Sequence, residues 1–269
     1  MGNLSLRILS PVVLLILLVL LAAGGAGCGD ERVVTISQPE GLENTQTRIY
    51  DTSPESTAQL LQDAGAVIET NTAPGRSVHF VMDSRTAGGG EPVVSKAEGD
   101  MVFPDRVKMT VQNYSGSKPV PVEVVSISDK VYSRSEASNW IWSSVGGIPP
   151  VASPQSITKL IDYARSSRNF GEESLAGNRK TYHVQLDIDT ALAADEARKQ
   201  NADPATIKVL EAWRTSRMTV DLWLGISDLI IYQEKIQVSN PAAGSTSDQN
   251  YIFSAWGLPV EINKPCEAC

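Results

Sequence analysis

Among residue types that do covalent chemistry, the 269 residues of this chain offer many serines but only two histidines and three cysteines. A hydrolase needs a nucleophile beside a positioned base, and no Gly-x-Ser-x-Gly elbow occurs here. His79 and His183 each fall on a segment in which apolar and polar residues alternate, which is typical of half-exposed positions in a sheet. The sequence therefore favours a protein that is not an enzyme.

A pair of carboxylates and a run of glycines are the next candidates. Asp187 and Asp189 lie on one face of a strand-like segment. They could do acid–base or metal chemistry, although a solvated strand edge also accounts for them. Gly88-Gly89-Gly90 predicts a hairpin turn and not a phosphate loop, because no Lys-Ser or Lys-Thr pair follows it. Neither feature predicts a metal ion or a cofactor.

The chain ends in a Cys-x-x-Cys motif formed by Cys266 and Cys269. A redox motif of this kind needs a helix N-terminus to lower the pKa of a thiol, and a structural zinc site needs two further ligands. Here the motif follows Pro265 with no room for a helix, and neither histidine is near it in the sequence. Two interpretations remain: a disulfide formed in an oxidising compartment, or two unpaired thiols on a loose tail.

The charge balance excludes one large class of function. The formal net charge is −8 at pH 7, and the basic residues do not form a stripe. Nucleic acids and anionic lipid surfaces both attract clustered Lys and Arg. We therefore expect no nucleic-acid partner.

Residues 1–28 have the three parts of an export signal. Arg7 is the only charge before an apolar run over residues 12–23, and small residues follow at 24–27. The run is shorter than the ~20 apolar residues that a spanning helix needs. The segment that ends at Cys28 resembles the bacterial lipoprotein cleavage site, with Gly25 at the position where that pattern prefers Leu.

This resemblance implies that Cys28 receives diacylglycerol and becomes the first residue of the mature protein. Acyl chains such as palmitate would then hold the protein on the extracytoplasmic side of the cell membrane. Ordinary secretory cleavage and an uncleaved anchor are the alternatives. Residues 29–51 are polar and without periodicity, which predicts a flexible tether. We expect one folded domain over residues 52–265, followed by the Cys-x-x-Cys tail at 266–269.

Periodicity within 52–265 predicts a few helices and many strands. Ser53 and Pro54 begin a helix with the apolar face Leu60, Leu61, Ala64, Val67 and Ile68. A second helix begins at Ser153-Pro154, and a helical insertion covers Thr190–Gln200 and continues from Asp203 to Trp213. Period-two alternation predicts strands at Ser77–Asp83, Val93–Val102, Arg106–Val111, Val120–Ile127, Lys130–Arg134, Trp140–Trp142, Lys180–Asp189, Met218–Leu224, Leu229–Val238, Tyr251–Trp256 and Pro259–Ile262.

These elements predict an α+β fold with about ten antiparallel strands in one sheet. Twisted sheets rarely stay flat beyond ~10 strands, so we expect a curved half-barrel whose concave face is covered by amphipathic helices. Helices laid over such a hollow cannot fill it completely, which predicts an apolar pocket. In Leu229–Val238 the inward set is expected to be Ile230, Tyr232, Ile236 and Val238.

Several segments, in this order, resemble the LolA-like bacterial lipoprotein superfamily, in particular its LppX, LprA, LprF and LprG group. They are Ser77–Phe80, Glu98–Asp100 leading to Phe103–Arg106, Asp129–Tyr132 with Trp140, Gly177, Val220–Leu224, Tyr251–Ser254, and Gly257–Ile262 before Pro265. The resemblance implies a half-barrel that encloses a hydrophobic cavity for acyl chains and carries lipids or lipoproteins across the cell envelope. The Cys-x-x-Cys tail is not part of that pattern.

Two functional hypotheses follow. In the first, the cavity binds lipid or another apolar ligand for transport or sensing, with or without an envelope transport partner. Its expected lining is Phe80, Met82, Val107, Met109, Val124, Tyr132, Val184, Leu186, Val220 and Leu222. In the second, the hollow is packed solid and the opposite face of the sheet binds a partner protein, as in an envelope structural or signalling module.

Overall fold

A computed structural model describes residues 48–88, 91–114, 119, 121–128, 130–135, 139–143, 154–199, 207 and 211–265. The export signal, most of the tether, Cys28, Cys266 and Cys269 lie outside the described residues, so the expectations for them remain predictions. The predicted helical restart at Asp203-Pro204 also lies outside them, apart from Ile207 and the residues from 211 onward.

The described residues form one antiparallel sheet of eleven strands. The strands are β1 (Ser77–Ala87), β2 (Val93–Val102), β3 (Arg106–Tyr114), β4 (Pro121–Ile127), β5 (Lys130–Ser135), β6 (Ile141–Ser143), β7 (Ala164–Leu175), β8 (Arg179–Ile188), β9 (Arg217–Gly225), β10 (Ile231–Asn240) and β11 (Ser245–Ser254). Their order in the sheet is β6-β5-β4-β3-β2-β1-β11-β10-β9-β8-β7. The sheet does not close, because β6 and β7 form its two edges. The predicted α+β fold with a curved, half-barrel antiparallel sheet is confirmed.

The described part of the chain includes the helices α1 (Pro54–Asn71), α2 (Pro154–Asp162) and α3 (Thr190–Lys199), and residues 211–213 are also helical. Ser53 caps α1 as predicted, since its Oγ accepts a hydrogen bond of 3.2 Å from the backbone N–H of Ser56. The helix α1 packs against α2 and β7. Within the described ranges, no helix is both long and apolar enough to cross a membrane.

The two faces of the sheet differ in what covers them. The inner face, covered by α1 and α2, carries the main core, to which the helices contribute Leu60, Leu61, Ile157 and Leu160. Its buried apolar strand residues are Val78, Phe80, Met82, Ala97, Met101, Val107, Tyr182, Val184, Leu186, Ile188, Met218, Val220, Leu222, Leu224, Ile231, Ile236, Val238, Tyr251 and Phe253. The other face is called the outer face below. The strands β6 and β7 flank α2 in sequence but lie at opposite edges of the sheet.

One strand was missed by the sequence patterns. The segment Ala164–Leu175 forms the edge strand β7, in which Asn169 is the only buried residue. Charged residues such as Arg165, Arg168 and Glu173 are common on edge strands, where they discourage pairing with other chains. A polar edge strand lacks the alternation on which the prediction depends.

Two assignments near the C-terminus were wrong in detail. The predicted strand Pro259–Ile262 is irregular, and its Ile262 packs against Val125 and Tyr132 in a second, smaller cluster. In β10 a bulge between Ile231 and Gln233 changes which residues face inward. Because of that bulge Ile231 is buried on the inner face while Tyr232 is only half-buried, contrary to the predicted set.

Gly99 on β2 tests how closely the strands approach one another. A Cβ placed there would overlap the carbonyl oxygen of Lys108 and lie 2.6 Å from the Cα of Met109, both on β3. We expect Gly99→Ala to lower the free energy of unfolding by about 1–3 kcal/mol, because the backbone of β3 must shift. Urea denaturation monitored by circular dichroism measures this.

Gly65→Ala in α1 is the matched control. A Cβ at this position meets nothing within 4 Å, and alanine favours a helix interior by roughly 0.5–1 kcal/mol over glycine. The control variant should therefore be as stable as the wild type or slightly more so. Equal destabilisation by both substitutions would contradict the close β2–β3 approach.

Candidate functional site

Nine of the ten residues predicted to line the interior lie on the inner face of the sheet. The strand register places Val184, Leu222, Val220 and Leu186 side by side on β8 and β9, and their side chains are fully buried. On the other half of the sheet, Phe80, Met82, Val107 and Met109 belong to or pack against the same core, and Val124 faces Met109 on β4. These nine residues of the predicted lining therefore form one surface. That a ligand contacts this surface remains a prediction.

Tyr132 is the exception and corrects the predicted set. Its cross-strand partner on β4 is Val125, whereas the neighbouring Val124 pairs with Ser133. Because side chains alternate along a strand, Tyr132 and Val125 point to the outer face, where they pack with Ile262. Residues 130–135 alternate only weakly, and the aromatic ring is buried by the C-terminal segment instead of by the helices.

A single row of cross-strand neighbours crosses the middle of the inner face. It consists of Val184 on β8, Leu222 on β9, Glu234 on β10, Tyr251 on β11 and Met82 on β1. Direct cross-strand neighbours have Cβ atoms about 4.5–5.5 Å apart, so each member touches the next. The row therefore places one carboxyl group between a leucine and a tyrosine in an otherwise apolar surface.

The Glu234 side chain is completely buried and has no polar contact in the described part of the chain. Its exposed fraction is 0%, and neither carboxyl oxygen has a hydrogen-bond partner among the described residues. Burial raises the pKa of this carboxyl well above its ordinary value. A buried, unpaired carboxylate is strongly unfavourable, so the group keeps its proton in the folded protein over a wider pH range than in the unfolded chain.

Three further polar side chains lie close to Glu234 on the inner face. The hydroxyl of Tyr251 donates a hydrogen bond of 3.1 Å to Oε1 of Gln249, and burial together with the nearby Glu234 raises the pKa of that hydroxyl. Gln249 pairs in register with Ser84 on β1, whose buried Oγ has no hydrogen-bond partner in the described residues. We call Glu234, Tyr251, Gln249 and Ser84 the interior polar cluster.

The sequence analysis did not identify Glu234, although the sequence contains a signal for it. The inward residues predicted for β10 included Tyr232 and Ile236 but not Glu234, which lies midway between them and therefore on the same face of a regular strand. A glutamate at an inward position of an otherwise apolar strand breaks the pattern that packing requires. Such a break is a better indicator of a functional position than another apolar residue.

The pH dependence of stability tests the state of Glu234. At pH values above the ordinary pKa of glutamate, the unfolded wild type has lost this proton while the folded protein retains it, so its free energy of unfolding falls as the pH rises. The slope reaches at most about 1.4 kcal/mol per pH unit. We therefore expect the stability difference between Glu234→Gln and the wild type to grow, in favour of the variant, from pH 4.5 upward until the pH reaches the folded-state pKa.

Urea denaturation at a series of pH values measures this difference. Glu234→Leu, which also lacks a titrating group, should show the same trend relative to the wild type. A difference that stays constant between pH 4.5 and 8 would contradict a raised pKa at this position.

Both histidines lie on the outer face, where carboxylates occupy their ring nitrogens. Nε2 of His183 is 2.9 Å from Asp221 Oδ1 and Nδ1 is 3.2 Å from Glu173 Oε2. The His183 ring also stacks on Trp223, with the ring centroids 4.4 Å apart. His79 lies between Asp100 and Glu98 in the same manner. Each ring has one nitrogen hydrogen-bonded to an aspartate and the other nitrogen near a glutamate, so both histidines belong to carboxylate networks of the outer face.

Asp189 has a structural role and is not paired with Asp187 in a site. Its Oδ1 accepts hydrogen bonds from the backbone N–H groups of Ala191 and Leu192, at 3.1 and 2.9 Å. Asp189 therefore caps the N-terminus of α3. Within the described residues, no cluster of His, Cys, Asp and Glu is arranged to bind a metal ion.

Removing the His183 ring is expected to destabilise the protein more than removing the His79 ring. The side chain of Asp221 is only 8% exposed, compared with 35% for Asp100. Among the residues that the structure describes, His183→Ala leaves Gln185 as the one side-chain donor to the Asp221 carboxylate, so we expect a loss of about 1–3 kcal/mol. His79→Ala breaks a more exposed pair, for which about 0–1 kcal/mol is expected. Equal losses in urea denaturation would contradict this difference.

The inner face, its two covering helices and the open sheet define the class of the protein: an antiparallel half-barrel with an apolar interior. Neither a family model nor a curated protein matches the chain. Solved structures do. LprF from Mycobacterium bovis is 16% identical over 80% of this chain and 98% of that chain, with a TM-score of 0.46.

Two further solved structures are similar. A LolA superfamily protein from Nitrosomonas europaea is 11% identical over 76% of this chain and 97% of that chain, with a TM-score of 0.35. The Pseudomonas aeruginosa MucA/MucB complex contains a chain that is 12% identical, with 72% of this chain and 56% of that chain covered and a TM-score of 0.33. The solved structures to which this chain is similar thus include LprF and a LolA superfamily protein.

Proposed function

We propose that the domain binds lipid or another apolar ligand between the inner face of the sheet and the helices α1 and α2. One observation carries this proposal: the buried apolar surface contains a carboxyl group, Glu234, that no described residue satisfies. Solid protein cores rarely retain an unpaired carboxyl group, because its desolvation is not repaid by a hydrogen bond. Ligand sites, by contrast, are mostly apolar surfaces with a few polar groups placed to contact the ligand.

The architecture supports an interior that admits a chain-like molecule. Apolar side chains from eight strands (β1, β2, β3, β4, β8, β9, β10 and β11) form the inner face, and the sheet is open at both edges. The described helices that pack on it, α1 and α2, have 18 and 9 residues. A hydrocarbon chain that moves from water into this interior gains about 0.8 kcal/mol for each methylene it buries. Displacement of α2 from the sheet would give such a chain access without unfolding the strands.

The proposed location follows from the N-terminal segment. Export and acylation at Cys28 would place the domain outside the cytoplasm, with residues 29–51 as a tether that lets the interior reach the membrane. Two or three acyl chains hold a protein on a bilayer stably, whereas a single chain holds it only marginally. An anchored carrier of this kind would receive its ligand from the bilayer and hand it to an envelope partner.

One observation favours the second hypothesis, a module that binds a partner protein. Val81 on β1 and Ile252 on β11 are cross-strand neighbours on the outer face, and they are 38% and 48% exposed. An apolar pair in the middle of a sheet face is a contact that a partner could cover. The MucA/MucB complex shows that one protein similar to this chain was solved with a partner. Both activities can coexist because they use opposite faces.

Lipid retained by the purified protein tests the first hypothesis. The chain lacking residues 1–28 keeps every described element, and it carries no acyl anchor to confuse the result. We expect mass spectrometry of its organic extract to show lipid at a fixed ratio to protein. Val184→Trp, which adds bulk to the inner face, should reduce that lipid several-fold, while Val81→Trp on the outer face should not.

The thermal midpoint of each variant separates filling of the interior from unfolding. A wild-type extract without lipid, from a folded protein, would contradict the carrier hypothesis and leave the partner-binding module. Equal lipid content in the Val184→Trp and wild-type proteins would place the lipid outside the inner face.

A further inference from the structure

We propose that the Glu234 carboxyl group is a hydrogen-bonding subsite of the interior and that it binds an uncharged hydroxyl or ester group of an otherwise apolar ligand. The inference rests on the proposed function, because a fully buried group meets a ligand only if the ligand enters the interior. It goes further by naming the polar chemistry that the ligand carries and the residue that recognises it.

The position of Glu234 supports a role in contacting a ligand. Its strand neighbours in the central row are Leu222 and Tyr251, and the adjacent inward residue on β10 is Ile236. The hydroxyl of Tyr251 already donates to Gln249. No side chain in the described residues therefore competes for the two carboxyl oxygens. The carboxyl group lies in the middle of the apolar surface, where a ligand's hydrocarbon part and its polar group would be adjacent.

The surroundings select uncharged polar groups. Burial favours the protonated carboxyl, which donates one hydrogen bond and accepts others, so it matches an ester carbonyl or an alcohol. An anionic head group would leave its charge in an apolar interior, beside a carboxyl group that no cation among the described residues contacts. An ammonium group could pair only with an ionised Glu234, and burying both charges carries a large desolvation penalty. An uncharged amphiphile avoids the cost of burying a charge.

A second unsatisfied atom lies within reach of the same ligand. Ser84 Oγ is two strands from Glu234, on β1, with Gln249 of β11 next to it in register. Strands are spaced about 4.8 Å apart, so the two unpartnered groups are on the order of 10 Å from each other. A ligand with two polar groups separated by a few bonds, such as a hydroxylated ester, could satisfy both.

The experiment uses the full-length chain in vesicles of ether-linked phosphatidylcholine, which has no ester carbonyls to compete. Three photoreactive probes share one eighteen-carbon chain with a diazirine and differ only at the terminus, which is a methyl, a hydroxyl or an ammonium group. Labelling of the β9–β10 peptide is quantified by mass spectrometry. We expect the hydroxyl probe to label the wild type about two- to tenfold more than the methyl probe, as one added hydrogen bond implies.

Three variants make the result specific. Glu234→Leu should reduce the hydroxyl-to-methyl ratio to about one, and Glu234→Gln should retain most of the preference because an amide also donates and accepts. Gln233→Leu, which changes the neighbouring residue on the outer face, should leave the ratio as in the wild type. The methyl probe also reports folding, since Glu234→Leu should bind it at least as well as the wild type does.

The outcomes separate the two proposals. A wild type that takes up none of the probes would overturn the proposed function. Uptake of all probes with no hydroxyl preference, or a preference that survives in Glu234→Leu, would overturn only the assignment of Glu234. Preferential labelling by the ammonium probe would mean that Glu234 binds its ligand as a carboxylate. That result would overturn the assignment of this subsite to uncharged polar groups.

Discussion

Pairing between β1 and β11 is the constraint on which the structure depends. In each half of the sheet, strands that are consecutive in the sequence are neighbours, although the connection between β8 and β9 contains α3. The strands β1 and β11, by contrast, are separated by most of the domain. Nine residue pairs, from His79 with Ser254 to Ala87 with Thr246, join the two halves in one register. A shift of one residue would turn either Phe80 and Met82 or Tyr251 and Phe253 to the outer face, so burial of both pairs fixes the register.

The continuous inner face is a consequence of that pairing. Neither half alone offers a surface as wide as the one that α1 and α2 cover, and the central row from Val184 to Met82 exists only when β1 and β11 are joined. Glu234 and Tyr251 lie close to this junction. An interior that binds a ligand there would be assembled late in folding, after a long loop closes, because such long-range contacts are slow to form.

The sequence predicts this fold well in strands where burial of one face makes apolar and polar residues alternate. It predicts the fold poorly where this alternation is missing. Alternation in Ser77–Asp83, Lys180–Asp189 and Met218–Leu224 gave the right strands and the right inward side chains, because one face of each segment is fully apolar. The edge strand β7 carried no such signal, since almost all of its side chains are exposed. Tyr132 and the bulge in β10 show a second limit. Alternation tells which residues of a strand share a face, but packing decides which of the two faces is turned towards the helices.

Glu234 is a different case from these wrong predictions, because a polar side chain is buried on an apolar face in the folded protein itself. An inward position between Leu222 and Tyr251 would be filled most favourably by an aliphatic side chain, and replacing a buried polar group by such a residue is often neutral or stabilising. The carboxyl group therefore reduces stability in the protein without a ligand. Under the proposed function, a hydrogen bond from the carboxyl group to a ligand offsets this loss when the interior is occupied.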